Sequence, residues 1–397
     1  MLPPQTNPPP PLQVAHIVEA TLTGVGRHVT DILAKLMQKQ ACTVHLIHSL
    51  NRADASYLAR LQQIQPSPFI YEISMQRVVR PWADSVSLVR LMAYLLRQGP
   101  FDVVHLHSSK AAALGGLAAR LSGVQHIVFT PNAFASAGET GLRRRIYLIL
   151  ERLCGLLAHT VIAVSQDEHD YALRHKLARP HQIHIIPNSV PLPDLQHHTQ
   201  LRAQLRAEWN ISEQTRLIGS VGRLSAQKNP LLFVEVATQR DRTVPLESEK
   251  FVIVGTGELL EEVRAVIQQR GLEQRMILAG FRTDMEAVYA SLDVYMLHSR
   301  YEGMPYTVLE AMSHGLPVVA PDVPGIQELL GHSRFVVAPR DTVAFTNALT
   351  YLEDTDHRRD IGQENRQRIE QHLSLDTMVE RILMLYYSRK QTYESPE

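Results

Sequence analysis

Pro187-Asn-Ser-Val-Pro-Leu-Pro193 divides this chain. Its prolines fix φ and remove backbone donors, so neither a helix nor a central strand can run through it, and the segment reads as an extended, fairly stiff connector. On either side, short apolar, β-branched runs alternate with segments of helical period, the pattern of parallel α/β folds. Before the connector, strands are expected over 14–19, 43–48, 69–73, 103–107, 126–130, 160–164 and 183–186, with helices between them, notably 28–39, 85–97, 111–121 and 144–157. After it the alternation restarts, with strands over 217–221, 251–254, 276–279, 294–297, 318–320 and 335–337, and 342–390 reads as helices only. The expected architecture is α/β, two Rossmann-like domains each built on a parallel sheet. Their bounds are 12–189 and 190–375, preceded by a disordered Pro-rich tail over 1–11 and followed by a closing helix over 376–397.

A chain of 397 residues exceeds one hydrophobic core, in agreement with two domains. Lys+Arg and Asp+Glu both number 40, so the formal charge is zero and no bulk field draws in nucleic acid. Cys42 and Cys154 are the only cysteines, too few for a disulfide framework and compatible with a reducing cytosol. With no apolar run near 20 residues and no signal peptide, the chain reads as soluble and cytoplasmic.

Chemistry-bearing residues concentrate in the second half. Glu302-Gly-Met-Pro-Tyr-Thr-Val-Leu-Glu310 sets two carboxylates around a Gly/Pro turn and the first turns of a helix. Gly303 and Pro305 would place backbone N–H groups at the helix N-terminus, where the dipole favours an anion. Each carboxylate can accept from a pair of sugar hydroxyls, so the spacing suits a ligand with hydroxyls at both ends and phosphates between. A capping Glu302 and a solvated Glu310 are the alternative reading of the same residues. Upstream, Gly219-Ser-Val-Gly-Arg-Leu-Ser-Ala-Gln-Lys-Asn-Pro230 follows a strand. Gly222 lets the backbone approach a ligand, and Arg223 with Lys228 can bracket phosphate oxygens from the strand's carboxyl end. Gly255-Thr-Gly257 is a second strand-to-glycine-to-helix cradle, without the third glycine of a dinucleotide fingerprint.

In the first half, Thr23-Gly-Val-Gly-Arg-His28 follows the opening strand and begins a helix. Gly24 and Gly26 there would let phosphate or sugar approach backbone amides. His105 and His107 share one face of a strand, but no third metal ligand is apparent in the sequence, and structural histidines are the preferred reading. The only Asp-x-Asp, Asp354-Thr-Asp356, falls between helices and reads as a turn or cap, so no metal is expected in the chemistry. Arg143-Arg-Arg-Ile-Tyr-Leu-Ile-Leu-Glu-Arg-Leu-Cys-Gly-Leu-Leu157 is a basic helix start followed by an apolar stretch. It fits either a peripheral contact with an anionic inner-membrane surface or ordinary core packing.

The glutamate pair and the Gly-Arg-Leu-x-x-x-Lys element resemble retaining glycosyltransferases of the GT-B fold, glycosyltransferase family 4. The resemblance implies two facing domains, with a closing helix at 378–387 that crosses back to the first. It also implies a hexosyltransferase that uses a nucleotide-diphosphate sugar, UDP-linked by preference, without cofactor or metal. Its acceptor would be a glycan or lipid-linked molecule in cell-surface polysaccharide or glycolipid synthesis. Catalytic roles fall on Glu302, Arg223, Lys228 and Asn132. Donor binding falls on Gly24, Gly26, Gly222, Gly255, Gly257, backbone groups near Arg282, Gly303, Met304, Pro305, Tyr306, Thr307 and Glu310. One departure stands out: where many relatives carry a histidine near the reaction centre, this chain reads Thr130-Pro-Asn132-Ala-Phe134. Asn132 can bond a sugar hydroxyl but cannot take a proton. Two other readings stay open, a nucleotide-sugar epimerase on the same scaffold and a catalytically impaired, sugar-nucleotide-binding partner subunit.

Overall fold

The structure, a computed structural model, describes residues 11–394 except 22, 77 and 332. The expected tail, apart from its last residue, lies outside the described residues. The chain divides into two compact units: residues up to 164, 168–186 and 375 onward in the first, and 165–167 with 187–374 in the second. The boundary falls at the first proline of the connector because the residues after it bond into the second unit. The Asn188 amide donates to the Met304 carbonyl at 3.1 Å, and Val190 forms a parallel bridge with Ser374.

The first unit runs β1 (Leu12–Val18), α1 (Thr23–Lys39), β2 (Cys42–His48), α2 (Ala55–Gln63), β3 (Phe69–Glu72), α3 (Pro81–Gln98), β4 (Val103–His107), α4 (Ser109–Leu121), β5 (His126–Thr130), α5 (Gly141–Leu157), β6 (Thr160–Ala163), α6 (Gln166–Arg174) and β7 (Ile183–Ile185). Its seven strands are parallel in the order β3-β2-β1-β4-β5-β6-β7. Central strands such as β4 are buried along their whole length, which is why they read as near-continuous apolar runs. One core, with Val14, Ile32, Leu36 and Leu46, lies under α1; the other, with Leu91, Leu95, Ala112, Ala119 and Cys154, lies under α3, α4 and α5.

The second unit runs α7 (His198–Glu208), β8 (Arg216–Val221), α8 (Pro230–Asp241), β9 (Glu249–Val254), α9 (Leu260–Gln269), β10 (Met276–Gly280), α10 (Met285–Ser291), β11 (Val294–Met296), α11 (Tyr306–Ser313), β12 (Val318–Pro321), α12 (Ile326–Leu330), β13 (Val336–Val337), α13 (Thr342–Tyr351) and α14 (Thr355–His372). Its six strands are also parallel, in the order β10-β9-β8-β11-β12-β13. Its core gathers Ile218, Phe233, Phe251, Val263, Phe345 and Leu349. Asp354 caps α14, its carboxylate accepting from the amides of Asp356 and His357. The last helix, α15 (Leu375–Glu394), groups with the first unit, where Met378, Val379, Ile382 and Tyr386 join the core under α1.

Helix α1 departs from expectation. It begins at Thr23 rather than 28, so Gly24 and Gly26 lie in its first turn. Glycine is required at 26 by close approach: a Cβ there would collide with the Thr21 carbonyl oxygen at the end of the preceding segment.

Candidate active site

An open parallel sheet binds ligands outside the carboxyl ends of its strands, where the strand order reverses. In the second unit that switch lies between β8 and β11, which pair through Ile218–Val294 and Gly219–Tyr295. The loop after β8 carries Gly222, Arg223 and Lys228; the segment after β11 carries Glu302, Gly303, Met304 and Pro305. Topology therefore brings together two motifs that lie far apart in sequence.

The two motifs meet directly. Lys228 Nζ donates to Glu302 Oε1 at 2.6 Å, with Glu302 largely buried and Lys228 partly so. An ammonium has three donors, so Lys228 keeps others for a phosphate. His298 fixes the lysine's backbone: one ring nitrogen meets the Lys228 carbonyl and the other lies 2.7 Å from Ser220 Oγ. Burial, with the nearby lysine charge, pushes the His298 imidazole down to about 4, so it serves as a neutral bracket. Arg223 is exposed at the rim of the same loop, and Gly222 sits at φ +155°, a conformation open to glycine.

Pro305 caps α11, and Tyr306 and Thr307 open it. Glu310 lies just over one turn into this helix. Tyr289 of α10 donates to Glu310 Oε2 at 2.7 Å. The Tyr289 ring stacks on His314, which is 2.8 Å from His198, so a packed chain of three side chains stands behind the carboxylate. Tyr295 of β11 is buried beneath the same site, its hydroxyl 3.3 Å from the Val221 carbonyl. Burial, with Glu302 and Glu310 nearby, raises its phenol well above the ordinary range. Sequence reading missed Tyr289, Tyr295, His298 and Asn188, whose roles come from pairings across many residues.

Gly255 and Gly257 pack against this loop. A Cβ on Gly255 would strike the Gly222 carbonyl oxygen, and one on Gly257 would strike the Leu224 backbone. The Gly255 amide already donates to the Gly280 carbonyl at 2.7 Å, so these glycines shape the Gly222–Leu224 turn whatever else they contact. Arg282 has its guanidinium engaged by Glu208 and Asp284 and lies over Trp209, leaving backbone groups as what it would offer a ligand.

In the first unit the order reverses between β1 and β4. Gly24 and Gly26 follow β1 at this switch, and Asn132 lies in the loop after the neighbouring β5. Asn132 and Ala133 both have positive φ, 54° and 84°. Glu168 holds this turn by accepting from the Ala133 amide at 2.7 Å and the Val164 amide at 2.6 Å. Burial raises its carboxyl to about 7 against the pull of those two amides.

His105 and His107 do have a third partner, which corrects the sequence reading. The pairing of β1 with β4 sets His16 opposite His105, and ligand atoms of His16, His105 and His107 lie within 4.8 Å of one another, all three side chains buried. His16 Nδ1 is 3.0 Å from His107 Nε2, while His105 bonds Tyr386 at 2.6 Å and Thr130 at 2.8 Å. Burial first, and then repulsion from neighbouring imidazoles including His28, hold all three imidazoles neutral, His16 down to about 3. The group contains no carboxylate to balance a buried cation. Its hydrogen bonds tie β1, β4, β5 and α15 together.

The family described as Glycosyl transferases group 1 matches residues 215–354, and the one described as Glycosyltransferase Family 4 matches residues 22–193. The chain is 31% identical over 309 residues to the UDP-Gal:alpha-D-GlcNAc-diphosphoundecaprenol alpha-1,3-galactosyltransferase of Escherichia coli, covering 76% of this chain and 79% of the relative. It is 25% identical over 398 residues to the alpha-maltose-1-phosphate synthase of Mycolicibacterium smegmatis, covering 91% and 95%. The crystal structure of Anabaena HepE in complex with UDP and glucose superposes with a TM-score of 0.79 over 95% of this chain and 100% of that one, at 19% identity, a likeness of fold. On its two parallel sheets, the matches to both halves and the similarity to a galactosyltransferase over most of its length, the chain belongs to glycosyltransferase family 4, the group 1 glycosyl transferases, with a GT-B-like fold.

Proposed function

We propose that this glycosyltransferase moves a hexosyl group from a UDP-sugar to a glycan or lipid-linked acceptor, with retention of anomeric configuration and without a metal, in cell-surface polysaccharide or glycolipid synthesis. The observation that carries the reading is the Lys228–Glu302 pair at the β8/β11 switch, where a diphosphate and a sugar would meet. Lys228 and Arg223 would stabilise the charge that builds on the departing diphosphate, the task a metal performs elsewhere. Glu310, held by Tyr289, would accept from ribose hydroxyls, and Glu302 would orient the transferred sugar and its phosphate. The bond from the anomeric carbon to the phosphate oxygen breaks as the acceptor oxygen bonds to the same face. The acceptor's proton passes to the leaving phosphate oxygen, so Asn132 need not act as a base. A UDP donor is supported by the Escherichia coli relative, named for UDP-Gal, and by the neighbour crystallised with UDP and glucose. The same relative is named for a diphosphoundecaprenol acceptor, which favours a lipid-linked acceptor met at a membrane surface that the chain would contact peripherally.

The test is transfer from UDP-glucose and UDP-galactose to a prenyl-diphosphate sugar, with NMR of the product's anomeric proton, in the presence and absence of excess chelator. Retention with equal rates is expected. Inversion would overturn the stereochemistry, loss on chelation with rescue by Mg²⁺ would overturn metal independence, and change of the free nucleotide sugar without acceptor would mark an epimerase.

A further inference from the structure

The loop after β5 holds a backbone that alanine does not adopt by choice. Asn132 and Ala133 lie in succession at φ 54° and 84°; asparagine tolerates the left-handed region, but the Cβ of Ala133 makes it uphill there. Such strain persists only where the surroundings over-determine it. Here two helices grip the residues that follow. Glu168 of α6 accepts from the Ala133 amide at 2.7 Å, and the Phe134 ring stacks on Tyr171 of α6 with centroids 5.9 Å apart. Glu151 of α5 accepts from both the amide and the hydroxyl of Ser136, whose Oγ also lies 2.9 Å from the Tyr171 hydroxyl. Phe134, Ser136, Glu151 and Glu168 are all buried.

Two buried carboxylates are a costly way to hold a turn. Ser165-Gln-Asp-Glu168 has the spacing of a capping box, in which the glutamate reaches back to an amide at the start of its own helix. One Glu168 oxygen does reach back, accepting from the Val164 amide at 2.6 Å; the other leaves the helix for Ala133, 35 residues away. Both oxygens therefore accept, which an ionised carboxylate can do and a protonated one, with a hydroxyl on one oxygen, can do only in part. A glutamine likewise turns an NH2 group toward one of the two amides. Burial, with the charge of Glu151 adding to it, raises the Glu168 carboxyl to about 7 against the pull of those amides, so the change of form falls near neutral pH. On its own helix, His169 and Asp170 pair with each other at the surface and Tyr171 faces Ser136.

We infer that Glu168 is a positioning residue of the transfer reaction: as a carboxylate it locks Ala133, and with it Asn132, in the left-handed turn that sets the Asn132 side chain for the transferred sugar, and on taking up a proton it releases that turn. The inference rests on the proposed transfer and on a place for Asn132 in it, so its test has one readout that needs no turnover. In protein labelled with 15N-alanine, the Ala133 amide resonance, identified by its loss in Ala133→Gly, should titrate with a midpoint at about pH 7. The midpoint should move toward acid in Glu151→Gln, which removes the neighbouring charge, and the titration should vanish in Glu168→Gln. In initial-rate kinetics the parent's kcat should fall as pH drops through the same range while the donor KM changes little, since the donor contacts of the second unit are untouched. At about pH 8, Glu168→Gln should lower kcat by ~10²-fold through misplacement and lose that inflection. Glycine takes a positive φ without strain, so the E168Q/A133G double variant should recover about tenfold of the lost kcat. The parent's titration and rate profile stand even if Glu168→Gln does not fold. A resonance that does not titrate, one that titrates while kcat does not follow, or a double variant no faster than Glu168→Gln would each overturn the inference and leave the transfer reaction standing. Absence of transfer by the parent would instead overturn the proposed function, and this inference with it.

Discussion

At the residue scale, the carboxylates of the second unit should fail in different ways when changed. Glu310 is buttressed by the Tyr289 hydroxyl and would serve donor binding, so Glu310→Gln should chiefly raise the donor KM. Tyr289→Phe keeps the ring on His314 but removes one hydrogen bond to a charged group, which should raise the donor KM by about tenfold with kcat little changed. Glu302, bonded to Lys228, would sit at the departing group, so Glu302→Gln should lower kcat by ~10²-fold through lost geometry. Initial rates against donor concentration separate these outcomes. An unaltered kcat in Glu302→Gln would remove it from the reaction centre, and an unaltered KM in Tyr289→Phe would reduce that tyrosine to packing. Glu302, Glu310, Arg223 and Lys228 were legible in the sequence because each motif is local and its residue types advertise charge. Their buttresses were not: Tyr289, His298 and Asn188 act through partners 21, 70 and 116 residues away, and nothing local marks them.

At the element scale, alternation exposed the parallel strands well, since a strand buried on both faces must be apolar along its length. The ends of elements were harder to read. Helix α1 starts earlier than its apolar period suggests, taking in Gly24 and Gly26, and at Gly26 the close approach of the Thr21 carbonyl leaves no room for a side chain. The composition of α5 likewise hid which side faces inward, because its buried side is made of Glu, Cys and Gly. A buried polar anchor of helix α15 within its apolar seam is the Tyr386 hydroxyl, 2.6 Å from His105. Tyr386→Phe would leave that buried ring nitrogen without its partner, and the expected loss is about 1–3 kcal/mol of unfolding free energy. Tyr386→Ala adds a cavity and should lose about 3–5 kcal/mol, as Phe→Ala changes do in cores. Urea unfolding of both variants measures this; if Tyr386→Phe is as stable as the parent, the bond does not hold the helix.

For the whole molecule, the buried histidines make stability depend on pH in a direction that can be worked out. His16 and His314 are held down to about 3 and His298 to about 4, chiefly by burial, and His105 and His107 are pushed well below the usual range. Each stays neutral in the folded chain but binds a proton in the unfolded chain once pH drops below about 6.5. Their stabilising contribution is therefore complete above that value and is lost on acidification, by about 1.4 kcal/mol per histidine for each pH unit until the folded value is reached. Glu168, raised to about 7, opposes this because its folded form takes up the proton first and gains stability as pH falls from about 7 toward 4.5. It offsets part of the loss from His16, His105 and His107 in the first unit; among these groups none offsets His298 and His314 in the second. Net of Glu168, the three histidines of the first unit thus weaken it on acidification about as much as the two of the second weaken theirs. Thermal unfolding at about pH 7.5 and about pH 5.5 should show a marked fall in the midpoint, with the second unit losing about 3 kcal/mol from its two histidines alone. His314→Gln should lower stability near neutral pH by removing packing on Tyr289, yet flatten the acid-side slope by about one proton. A midpoint that holds or rises on acidification would show that these imidazoles are not held neutral, and an unchanged slope in His314→Gln would acquit that residue.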